Sequence, residues 1–134
     1  MNHKKERLSL LSEMIHLVRS DHDINPREYE FIYRVAKRLG VKKEEFDHLF
    51  RQPNTPFIPP REESGRILQL HRLVLLMNID DEIHPNEIVT LKEFGVRMGL
   101  SPYAIDRVLE VMDDFPNKVV PPDVLIDIFK AYYN

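Results

Sequence analysis

The chain has 134 residues, 19 Lys plus Arg against 22 Asp plus Glu, a formal net charge of −3, and no cysteine or tryptophan. That length suits one domain with its own core. The lack of cysteine excludes disulfides, thiolate metal centres, thiol nucleophiles and iron–sulfur clusters, and the charge balance argues against a dedicated nucleic-acid binder.

The longest strictly apolar run, Leu73 to Met77, falls far short of the roughly 20 residues a bilayer span requires. The opening Met1-Asn2-His3-Lys4-Lys5-Glu6-Arg7 is only superficially like a signal n-region, because Ser9, Ser12, Glu13 and His16 break the stretch that follows. A cytoplasmic protein is therefore expected, with no membrane span and no nucleic-acid partner.

In chain order, Leu8, Leu11, Ile15 and Val18 recur at the spacing of one buried helix face. Ile32, Val35, Ala36 and Leu39 repeat it, and Phe46, Leu49 and Phe50 give a short third helix. The second half offers Leu70, Leu73, Val74 and Met77, then Ile88, Leu91, Phe94 and Met98, then Ile105, Val108, Leu109 and Met112. Val124, Leu125, Ile128, Phe129 and Tyr132 mark the last helix. Gly40 and Gly99 each follow a helix and precede an apolar residue, the pattern of a left-handed cap. Ser101-Pro102 reads as an N-cap followed by the first helical residue. Seven helices are predicted, over 4–20, 26–39, 42–51, 62–78, 85–98, 102–113 and 122–133. No stretch alternates with period two, so the fold class is all-α, without a sheet.

The chain also resembles itself. Shifted by 59 residues, Asp21-His22-Asp23-Ile24-Asn25-Pro26-Arg27-Glu28 falls on Asp80-Asp81-Glu82-Ile83-His84-Pro85-Asn86-Glu87. The same shift carries Leu11 onto Leu70, Gly40 onto Gly99 and Asp47 onto Asp106. The expected organisation over 1–134 is a single bundle with pseudo-two-fold halves: repeat one over 4–52, a proline-rich crossover over 53–60, repeat two over 62–113 and a C-terminal helix outside the repeat.

Each acidic turn supports two readings. In the architectural one, Asn25 or His84 is the N-cap, proline takes the first helical position, and Glu28 or Glu87 returns to an orphan amide as in a capping box. In the chemical one, Asp21, Glu28, Asp80 and Glu87 converge on one pole, with Asp23 and Glu82 in a second rank. Clustered carboxylates repel unless a cation or protons compensate, and oxygen ligands suit Ca²⁺, Mg²⁺ or Mn²⁺. His22 and His84 would add nitrogen. The turn is not an EF-hand: its sixth position is Pro26 or Pro85 instead of glycine, and its twelfth is Ile32 or Leu91 instead of glutamate.

With Asp21…Ile24…Glu28 and Asp80…Ile83…Glu87 in two halves, the chain resembles the TerB-like domains, small helical proteins linked to tellurite resistance and stress response. His22 and Asp81 stand where the family's turn has glycine. The resemblance implies a helical bundle, acidic residues that bind a metal, and work beside other stress proteins or at a membrane surface rather than catalysis.

Other signals are weaker. His84-Pro85-Asn86 echoes the His-Pro-Asp of J-domain co-chaperones, but its third residue differs and its proline belongs to the repeated turn. Ser9, Ser12 and His16 share helical spacing and read as a polar helix edge, since a nucleophilic site also needs an orienting group and an oxyanion hole. Paired carboxylates without an aromatic platform give little support to glycoside hydrolysis. Phe57-Ile58 is expected to pin the crossover to the bundle, and Phe129 to Tyr133 to seal the core or form a dimer seam. Lys4, Lys5 and Arg7 read as a solvated face. The expectation is a non-enzymatic module whose acidic pole takes a divalent cation or a protein partner, a second copy of the chain being one candidate. The competing expectation is an interaction module without metal, its turns serving only as caps.

Overall fold

A computed structural model describes residues 2–20, 23–52, 55–79 and 84–132. The helices are α1 (Asn2–Arg19), α2 (Pro26–Arg38), α3 (Lys43–Arg51), α4 (Glu63–Met77), α5 (Pro85–Arg97), α6 (Pro102–Val111) and α7 (Pro122–Ala131). There is no strand among the described residues. The predicted bounds differ most at α6, which stops at Val111 and gives way to two 3-10 turns, Met112–Asp114 and Pro116–Lys118. Phe115 lies between them with φ −110° and ψ 150°. That extended conformation is imposed by the proline that follows it.

α1 is the organising element. It packs against α2, α3, α4 and α5, and its residues from Ser9 to Ile15 are all buried. A helix covered on so many sides has no single apolar stripe. α4 is its counterpart, packed against α1, α2, α5 and α7. Where the two cross, the buried Gln69 side chain donates to the Leu10 carbonyl at 3.0 Å.

Some helix ends stand 59 residues apart. α2 and α5 begin at Pro26 and Pro85 and end at Arg38 and Arg97. Gly40 and Gly99 have φ of 76° and 81°, a conformation that favours glycine. Each stop is closed by the same bond, Val41 N–H to Ala36 and Leu100 N–H to Gly95, both 2.9 Å. Gly95 serves a further purpose, since a Cβ there would lie 2.2 Å from Ile105 Cδ1. α5 and α6 approach closely because that position has no side chain.

The crossover is fastened to the bundle as expected. Phe57 stacks on Phe94 with ring centroids 6.5 Å apart, and the Ile58 N–H donates to Ser9 Oγ at 2.9 Å. α7 buries Leu125 and Phe129 against the core, leaving Ile126 and Tyr132 exposed. No helix among the described residues is long and apolar enough to cross a membrane.

Candidate functional site

The two corners where α2 and α5 begin carry the acidic motif. At the first, Glu28 Oε1 accepts from the Asn25 N–H at 3.0 Å, and Asn25 Oδ1 accepts from the Glu28 N–H at 2.9 Å. This is a complete capping box. At the second, Glu87 Oε1 accepts from the His84 N–H at 3.4 Å, while the Glu87 N–H donates to the His84 carbonyl at 2.9 Å. Imidazole is a poorer cap than a carboxamide, so the second box is looser. Both glutamates are buried, at 2% and 1% exposure. Their negative charge at a helix start also complements the helix dipole.

Of the other predicted ligands, Asp21, Asp80 and Glu82 lie outside the described residues, as do His22 and Asp81. Asp23 is exposed. It lines an open recess of about 480 Å³ with Arg19, Tyr29 and Phe50, where the Arg19 guanidinium sits 5.5 Å from the Phe50 ring centroid. The Tyr29 hydroxyl donates to Asp47 at 3.2 Å. Burial and the Asp47 carboxylate both push its pKa up.

Among the described residues, the corners meet where the Asn86 side-chain amide, in the first turn of α5, donates to the Ser20 carbonyl at 3.5 Å. Ser20 follows α1 directly and precedes Asp21, so the start of α5 lies beside the entry to the first acidic turn. Among the described residues, no three His, Cys, Asp or Glu side chains gather as a metal-ligand set. Glu28 and Glu87, each bonded to its own cap amide, are placed to shape the turns.

A second polar cluster lies elsewhere. Glu13, on α1, is 3% exposed and lines a recess of about 120 Å³ with Ser9, Ser12, His16, Thr55, Phe57, Phe94 and Arg97. Burial pushes the Glu13 carboxyl up to about 8, against the opposing pull of the nearby Gln69 side chain and the Arg97 guanidinium. The sequence reading singled out Ser9, Ser12 and His16 but passed over Glu13. Its signal was there: Leu10, Leu11, Met14, Ile15, Leu17 and Val18 ring α1 so fully that the polar residues among them are buried too.

No curated protein and no solved structure matches the chain. The model of the family described as tellurite resistance protein TerB matches residues 1–51, a span that ends with the last residue of α3 and contains the first acidic corner. That match supports assigning this all-helical chain to the TerB-like family.

Proposed function

We infer that the chain is a non-enzymatic binding module whose two acidic turns form one pole that takes a divalent cation, Ca²⁺, Mg²⁺ or Mn²⁺, or a basic face of a protein partner. The observation that supports it is the Asn86–Ser20 hydrogen bond, which sets the beginning of α5 against the entry to the first turn. Two acidic turns brought together raise the local negative potential and favour a counter-charge. In this reading Glu28 and Glu87 hold the turns in shape, and Asp21, Asp23, Asp80 and Glu82 face the ligand. The TerB match over residues 1–51 supports a setting akin to tellurite resistance, and the reading extends this to a stress-response role in the cytoplasm.

The test is thermal. A cation at about 100 times its Kd stabilises the fold by about 2.7 kcal/mol, so melting in millimolar Ca²⁺, Mg²⁺ or Mn²⁺ should exceed that of a chelated sample. Asp21→Asn with Asp80→Asn should remove the difference. Equal melting with and without each cation, at matched ionic strength, would overturn the cation reading.

A second reading is favoured by the cap bonds themselves. Both glutamates are spent on local amides, which is sufficient reason for their presence. The pole would then be a feature of a purely structural interaction scaffold. Under that reading Asp21→Asn with Asp80→Asn leaves cation response and partner capture unchanged, whereas Glu28→Ala lowers stability.

A further inference from the structure

The recess around Glu13 has no part in the acidic pole. Among the described residues, neither Glu13 carboxyl oxygen receives a hydrogen bond, and the buried Thr55 Oγ1 likewise has none. Each such group costs about 1–3 kcal/mol when left unmet. A folded chain seldom keeps several of them around one cavity unless something completes them. A volume of about 120 Å³ has room for about four waters or one small organic ion.

Arg97 selects among these occupants. Its guanidinium carbon lies 4.1 Å from the Phe57 ring centroid and 6.0 Å from that of Phe94. A guanidinium held against phenyl rings still offers its N–H fork, which matches a carboxylate. Arg97 makes no hydrogen bond or ion pair among the described residues and stands exposed at the mouth of the recess. The cavity thus combines a positive fork, hydroxyls and a carboxyl group. We propose that this recess binds a small carboxylate-type oxyanion, the Arg97 fork holding one edge while the Glu13 carboxyl and Thr55 hydroxyl donate to the oxygen that enters the cavity.

The protonation of Glu13 supports this assignment. With its pKa near 8, the group is a neutral donor at pH 7; once ionised it repels an anion. The other groups facing it are His16 and Ser12 from α1, Arg97 from α5 and Gln69 from α4. Arg72 lies behind Gln69, to which it donates at 3.2 Å. The crossover contributes Thr55 and Phe57, neither charged.

The experiment titrates the full chain with ¹³C-acetate by NMR and compares melting in sodium acetate and sodium chloride at matched ionic strength. Saturable acetate binding is expected at pH 7, weakening about tenfold for each pH unit above 8 as Glu13 ionises. Glu13→Gln, neutral at every pH and still a donor, should bind acetate without that dependence. Arg97→Met keeps the contact with the phenyl rings and should lose at least about tenfold in affinity, with helix content unchanged by circular dichroism. Acetate acting no differently from chloride would overturn the proposal. So would affinity that rises through pH 8, as methylammonium binding would, or wild-type binding by Arg97→Met.

Discussion

Replacing Glu13 by glutamine removes a titration while keeping the size and shape of the side chain. The group's ordinary pKa is 4.5 and burial lifts it to about 8. Between those values the folded state holds a proton that the unfolded chain has released. Stability must therefore fall as pH rises through this window, by about 1.4 kcal/mol per pH unit, and the loss is complete just above pH 8. Across the window from 4.5 to about 8 the cost amounts to about 5 kcal/mol, a large share of the roughly 5–15 kcal/mol that holds a domain together. Wild type and Glu13→Gln should have similar stability near pH 4.5 and diverge above it. At about 3–5 °C per kcal/mol for a chain of this size, the variant should melt about 15 °C higher at pH 8.5. Urea unfolding from pH 4.5 to 9 supplies the free energies, and the difference between the two proteins cancels the slope from every other carboxylate. Parallel profiles would refute the argument, because they would mean that Glu13 ionises in the fold as freely as in water.

Three further outcomes follow from backbone and packing. Gly95→Ala should lose about 1–3 kcal/mol by driving a methyl into Ile105, partly offset by about 1 kcal/mol of helix propensity. Ile105→Val, which deletes the clashing Cδ1, should restore stability in that background while lowering it in wild type, a sign reversal readable in a urea double-mutant cycle. His84→Asn rebuilds at the second corner the carboxamide cap found at the first and should add about 0.5–1 kcal/mol by thermal melting. Gly99→Ala, at φ 81°, should cost about 1–2 kcal/mol; no change in its urea midpoint would show that the left-handed stop carries little strain.

The helices were legible because their ends carry chemistry of their own. Pro26, Pro85, Pro102 and Pro122 open four of them, and Gly40 and Gly99 close two. α6 was read too long because Met112 continues its apolar spacing, while the constraint that ends the helix comes from Pro116, farther along. The acidic corners were legible as motifs, yet the spacing of Asp21 and Glu28 is the same whether the glutamate caps a helix or faces an ion. Buried capping glutamates answer half of that question. The recess at Glu13 was hidden for a different reason. Its parts come from α1, the crossover and α5, and only tertiary packing brings Arg97 and Thr55 to a helix whose own sequence supplies a serine edge and one carboxyl group.

The contact between Gln69 and Leu10 has a bearing on how such a molecule can change. These positions stand 59 residues apart, the same offset that separates the two acidic motifs in the sequence. A protein assembled from two copies of the first half would set leucine against leucine there and leave that carbonyl without its amide. The amide at position 69 thus supplies a donor that the apolar side chain at position 10 does not, and a substitution of Gln69 is felt on both helices at once.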